Sequence, residues 1–142
     1  MADKIAVQMF TLREHTKTEA DLANTLERLS KIGYTAVQLS AVGCMNGDNP
    51  EVDAARARQL LDDNGLKCVA THRPWDALAN ETDAEIDFHQ TLGCDYAAIG
   101  GLAEPYRSGG EEGYRNFVKE SRPVLQKLKD AGITFGYHNH AH

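Results

Sequence analysis

The chain has 142 residues, of which 42% are hydrophobic and 25% charged, and its formal charge is −6. That length suits one soluble globular unit with a real core and is too short for two comfortable domains. The acidic balance and the lack of any basic stripe exclude a general affinity for nucleic acid or anionic membranes. No apolar run reaches the length of a membrane span.

Met1-Ala2-Asp3-Lys4 leads straight into a strand without the regions of a signal peptide, so a cytoplasmic location is expected. The first strand is Ile5-Ala6-Val7-Gln8-Met9-Phe10. A helix follows, started by a capping-box-like Thr18 and Asp21, with Leu22, Leu26, Leu29 and Ile32 as its apolar stripe. Lys31-Ile32-Gly33-Tyr34-Thr35-Ala36-Val37-Gln38-Leu39 then ends that helix on a glycine and begins a second short apolar run. The Gly43 to Pro50 stretch reads as a loop, with Asn49-Pro50 as the cap and first turn of a helix to about Asn64.

The same shape recurs around Gly65, Gly93 and Gly132: a helix end, a glycine suited to the left-handed position, and an apolar run too brief for a helix. Four glycine stops therefore predict four strands after the first. The third helix is expected from near Thr82 to Leu92, with His89 as a packing or surface residue. A fourth helix carries Tyr114, Phe117, Val118, Val124, Leu125 and Leu128, opens on Glu111 and Glu112, and should kink or break near Arg122 because Pro123 follows. Since every crossover contains a helix, the five strands should be parallel.

Active sites of such folds gather at the carboxyl ends of the strands. Strand three ends in Thr71-His72-Arg73-Pro74-Trp75 and strand five in Tyr137-His138-Asn139-His140-Ala141-His142. In strand geometry His138 and His140 share one face and Asn139 takes the other. Two imidazoles rarely make a selective metal site, so substrate hydrogen bonding is the favoured role of His140, and His142 is expected to be disordered at the terminus. Trp75 could wall a sugar ring. Gln8 and Gln38 are read as structural amides, Ser40 as a loop hydroxyl, Gly100-Gly101 as an exit turn and Arg107 as solvated. Cys44, Cys68 and Cys94 are odd in number and widely spaced, which favours reduced core thiols over a disulfide or zinc site.

Two architectures accept this pattern: a doubly wound five-stranded sheet, or the opening half of an eight-stranded βα barrel. The segment after strand one, Thr11 to Lys17, has no glycine for a phosphate loop, and only six residues follow Gly136, too few for a helix to cover strand five. Both observations favour the barrel half, an α/β fold of parallel (βα) units.

The segments Ile5 to Arg13, Ile32 to Ser40, Leu61 to Lys67, Ala70-Thr71-His72 and Phe135 to His140 resemble, in order, the N-terminal half of the sugar phosphate isomerase/epimerase family of xylose isomerase-like TIM barrels. The resemblance implies one domain over residues 1–142, truncated after strand five. It also implies proton transfer next to a carbonyl of a sugar or polyol derivative, assisted in the complete barrel by a divalent metal such as Mn, Mg, Co or Zn. The family's ligands are Glu, Asp, His and Glu at later strand ends. Counting back three from Asn139 to the usual strand-five glutamate lands on Gly136, so no metal ligand is assigned in this chain. His72 and His140 are expected to be the catalytic residues, with Trp75, His138 and Asn139 binding substrate. The chain alone is expected to be inactive. A non-catalytic sugar-binding half-barrel, or one that self-associates as a homo-oligomer, stands as the alternative.

Overall fold

The computed structural model of the chain describes residues 5–140, so His142 lies outside the described residues. Five strands form one parallel sheet: β1 (Val7–Gln8), β2 (Ala36–Leu39), β3 (Lys67–His72), β4 (Tyr96–Ile99) and β5 (Thr134–Tyr137). Between them lie α1 (Glu19–Ile32), α2 (Ala54–Asp63), α3 (Trp75–Asn80), α4 (Thr82–Leu92) and α5 (Gly110–Asp130). The spatial order is β1-β2-β3-β4-β5. A doubly wound sheet reverses direction at a switch point, whereas a barrel adds each strand beside the last. The sheet is therefore the opening half of a TIM barrel.

The glycine stops behave as the repeat predicts. Gly33, Gly65, Gly93 and Gly132 all have positive φ, at 104°, 65°, 73° and 80°, where a side chain would be strained. At the other end of α1, Thr18 and Asp21 form a full capping box, each side chain accepting from the other's backbone N–H.

Several expectations need correction. The first strand keeps only Val7 and Gln8, and Met9–His15 coils into a 3-10 segment whose Met9 is fully buried. Ile32 is 71% exposed and not part of the α1 stripe, because it falls on the last turn beside the chain reversal at Gly33. Residues 49–52 do not start α2. The Val52 N–H is held by the Cys44 carbonyl at 2.9 Å and its side chain is buried, so the helix waits for Asp53, whose carboxylate accepts from Arg56 N–H at 2.7 Å. The short α3 was not foreseen. Pro123 does not break α5, which runs continuously through it. Pro123 is exposed, so the carbonyl it orphans one turn back can turn to water.

Alternation along the strands divides the sheet into two faces. Val7, Val37, Leu39, Cys68 and Cys94 pack with Leu22, Leu26, Leu60, Leu61 and Leu92 in a first core beneath α1, α2 and α4. Ala97, Ile99 and Phe135 pack with Trp75, Leu78, Phe117 and Leu128 in a second core beneath α3 and α5. Gln8 and Gln38 are register partners and half-buried, with their neighbours Val7 and Val37 in the first core, so the amides take the opposite, inner face. A register shift between Val37 and Gln38 skips Val69 on β3, pairing Gln38 with Ala70 and Leu39 with Thr71. That bulge decides the phase of the strand's end: it sends Thr71 to the helices and His72 to the inner face.

Candidate functional site

His72 closes β3 and pairs in register with Ala98 of β4, which in turn pairs with Gly136 of β5. The ladder extends one step beyond β5, where His138 N–H donates to the Ile99 carbonyl at 3.1 Å. The strand ends therefore bring together imidazoles that lie 66 residues apart in sequence (138 − 72). His72 and His138 have ring centroids 5.1 Å apart at an interplanar angle of 58°. His138 and His140 stack with centroids 4.8 Å apart and planes within 4°. The strand does not continue past Tyr137, but the two rings still share one side.

His140 Nε2 lies 2.8 Å from the Gly100 carbonyl. A carbonyl only accepts, so Nε2 carries the proton. Burial, with the charges of His138 and His140 added, holds His72 below its ordinary value of 6.5. The neutral imidazole is thus the favoured form of His72, able both to donate to and to accept from a hydroxyl or carbonyl. Asn139 is exposed beside this cluster.

Trp75 is placed elsewhere. It is 7% exposed and lies edge-on to Phe117 at 4.8 Å and to Phe135 at 6.2 Å, inside the second core. The α3 turn that follows Pro74 swings the indole behind the sheet, so it is not brought together with the histidines as a sugar-ring wall. His89, read as a packing residue, is fully buried. Its Nδ1–H donates to the Glu85 carbonyl at 2.6 Å, and its Nε2 accepts from Thr71 Oγ1 at 2.7 Å. Ser40 is likewise occupied structurally, accepting from Phe10 N–H at 3.2 Å, and Arg107 pairs with Glu104 at 2.8 Å.

Three supports of the site were not foreseen. Arg73 directs its guanidinium onto Glu85 of α4, through Nε at 2.8 Å and Nη2 at 2.5 Å, and lies over the Phe88 ring at 4.4 Å. Its backbone N–H donates to the Ala98 carbonyl at 2.8 Å, so the residue after His72 is fixed at both ends. Gly100 is more than an exit turn, because a Cβ on it would stand 3.3 Å from His72, whereas one on Gly101 would meet His140 only in ordinary contact at 3.6 Å. Ala41, just past β2, takes a left-handed φ of 53° on the rim beside the Leu39–Arg73 pocket. The only sequence signals for these were the Gly-Gly pair and an arginine next to the histidine.

The histidines do not fit a divalent metal by themselves. Ring lone pairs lie in the ring plane, so two imidazoles stacked within 4° cannot both aim at one ion, and His140 Nε2 is already donating to Gly100. Among the described residues no group of three or more His, Cys, Asp or Glu side chains is arranged to hold one. No described helix is long and apolar enough to cross a membrane.

Comparison with solved structures places this sheet among known barrels. A sugar phosphate isomerase/epimerase from Parabacteroides distasonis superposes with a TM-score of 0.75 at 21% identity, over 96% of this chain and 51% of that one. An L-ribulose 3-epimerase gives 0.66 at 17% identity, over 94% of this chain and 48% of that one. A xylose isomerase-like TIM barrel protein from Mycobacterium smegmatis, in complex with magnesium, gives 0.63 at 14% identity, over 96% and 55% respectively. The chain thus spans about half the length of these structures, and at such identities the likeness shows the fold alone. No functionally curated protein is significantly similar to it in sequence. The family model described as xylose isomerase-like TIM barrel matches residues 26–142. With the parallel half-barrel and its imidazole rim already evident, that match shows that the chain belongs to the xylose isomerase-like TIM-barrel family.

Proposed function

We propose that this chain forms the N-terminal half of a sugar phosphate isomerase/epimerase, and that His72, His138, Asn139 and His140 form its part of the rim that binds a sugar or polyol derivative. The observation that carries the reading is the convergence of His72, His138 and His140 at the carboxyl ends of β3 and β5, the end of a parallel barrel where substrates bind. Neutral His72 hydrogen-bonds a substrate oxygen, and His140, anchored through Nε2 to the Gly100 carbonyl, faces the substrate beside it. His138 packs between them and sets their spacing, and Asn139 supplies an amide at the open edge.

The reaction class removes a proton from carbon next to a carbonyl and returns it to the other face or to the neighbouring carbon. Hydrogen bonds from imidazoles to the carbonyl oxygen would spread the charge that develops there. The divalent metal implied by the family resemblance has no ligand set among the described residues, so no step is assigned to it. A reducing cytoplasm suits the three free, buried thiols.

Titrating the protein with a ketose phosphate while following imidazole resonances tests the site. The signals of His72, His138 and His140 should shift together, with the buried His89 unmoved. Catalysis is read in the complete barrel from deuterium uptake at the carbon next to the carbonyl in D2O, and replacing His72 by Ala there should slow it about 100-fold. A titration that leaves all three resonances in place overturns the reading. Binding by this chain without any deuterium uptake in the complete barrel favours a non-catalytic sugar-binding half-barrel.

A self-associating half-barrel is the second reading, supported by Val69 of β3 and Tyr96 of β4. Both are outside the two cores, at 44% and 39% exposure. Sedimentation decides it: a monomer at all concentrations removes it.

A further inference from the structure

Four residues before His72 on β3, and so about 13 Å toward the amino end of the strand, stands Cys68, which belongs to a second constellation. Cys94 lies just before β4, and counting back three from the paired Thr71 and Ala97 sets it beside Cys68. The two thiols are close enough to shift one another's titration. Each S–H donates to a backbone carbonyl, Cys68 Sγ to Ala70 O at 3.3 Å and Cys94 Sγ to Tyr96 O at 3.5 Å. Both thiols line a cleft of about 610 Å³ at the amino ends of β3, β4 and β5, together with Arg58, Lys67 and Asp95. Cys44, the third cysteine, sits in the 3-10 turn Gly43–Met45 and does not line this cleft.

We propose that Cys68 and Cys94 form a dithiol site that exchanges with a small disulfide entering through this cleft. The Cys94 thiolate attacks one sulfur of the incoming disulfide. A Cys94–S–S–R bond forms, the original S–S bond breaks, and the first thiol leaves with the proton that Cys94 gave up. Cys68 then attacks the Cys94 sulfur, closing a Cys68–Cys94 disulfide and releasing the second thiol with the Cys68 proton. Two protein thiols are oxidised and one small disulfide is reduced to two thiols.

The order of attack follows from how each thiol shifts the other. The neighbouring Cys68 thiol holds Cys94 below the usual thiol range, while Cys94 and burial push Cys68 up. Burial first, and then the charges of Glu51, Glu19 and Asp21, push Cys44 up to about 11, which makes it a slow-reacting control for Cys94. Arg58 and Lys67 favour an anionic disulfide in the cleft, and Asp62, which holds Arg58 at 2.7 Å, and Asp95 oppose it. The geometry is independent of the imidazole rim, so the fate of one site says nothing about the other.

Oxidised glutathione added to the native protein is the probe, followed by intact mass and peptide mapping under acid quench. The expected product has lost two hydrogens and carries a Cys68–Cys94 linked peptide, with Cys44 still free. Cys94 should react roughly tenfold or more faster than Cys44. In C68S the second step is impossible, and a stable glutathione adduct should remain on Cys94. Should that variant fold poorly, the map of the unsubstituted protein decides alone. A native protein that stays fully reduced while the urea-unfolded chain reacts overturns the proposal, as do separate adducts with no internal link.

Discussion

The clamp between Arg73 and Glu85 fixes the chain immediately after His72, and its removal has a calculable cost. The Glu85 side chain is 5% exposed and that of Arg73 23%. Stripping one partner from a buried pair costs about 3–5 kcal/mol, because the other charge is left without compensation. In Glu85→Leu the guanidinium can still reach some water and still lies on Phe88, which places the cost near the lower end, at about 3 kcal/mol, or roughly 150-fold in the folding constant. In Arg73→Met the carboxylate has less access to water, so the loss should be larger. The double variant Arg73→Met/Glu85→Leu leaves no stranded charge and should lose less than either single variant. Urea unfolding at neutral pH, followed by circular dichroism and by the fluorescence of the buried Trp75, measures all three. Additive losses, or a cost below about 1 kcal/mol for Glu85→Leu, would show that the pair behaves like an exposed surface bridge and refute the argument.

Three further outcomes are expected. Gly113→Ala in α5 gains about 1 kcal/mol of helix propensity, yet its Cβ would collide with the backbone carbonyl of Tyr106, so thermal melts should show a net loss of roughly 3 kcal/mol or more. Thr18→Ala removes half of the capping box on α1 and should cost about 1 kcal/mol in denaturant unfolding. His89 is held below its ordinary value of 6.5, first by burial, which outweighs the opposing pull of Glu85. The unfolded chain therefore takes up that proton more readily. The stabilisation is full above the ordinary value and is lost as pH falls below it. His72 is shifted in the same direction and acts with the same sign. Urea midpoints should fall between about pH 7.5 and 5.5, and His89→Leu should flatten that fall; an unchanged slope in this variant would assign the effect elsewhere.

Local chemistry made much of the fold legible. Gly33, Gly65, Gly93 and Gly132 mark chain reversals that need positive φ, and each is followed by a run too short and apolar for anything but a buried parallel strand. The Thr18 capping box is equally local, as is the His-x-His of the last strand end. The exit from β3 was not legible, because whether Trp75 faces a ligand or the core depends on how α3 turns after Pro74 and on Phe117 and Phe135, about 40 to 60 residues away. The start of α2 was missed for a similar reason: the Cys44 carbonyl holds Val52 outside the helix.

The sequence by itself determined the alternation of strands and helices, the parallel direction of the strands and the residue types at their carboxyl ends, since these follow from period, capping and turn chemistry within a dozen or so residues. Only the tertiary structure decided which of those side chains meet. The bulge opposite Val37 and Gln38 sets the phase that turns His72 inward, and the register of β4 against β5 brings His138 to it. The register of β3 against β4 likewise brings Cys68 near Cys94. A shift of one residue in a strand exchanges its two faces, and no segment carries its partner's register within itself.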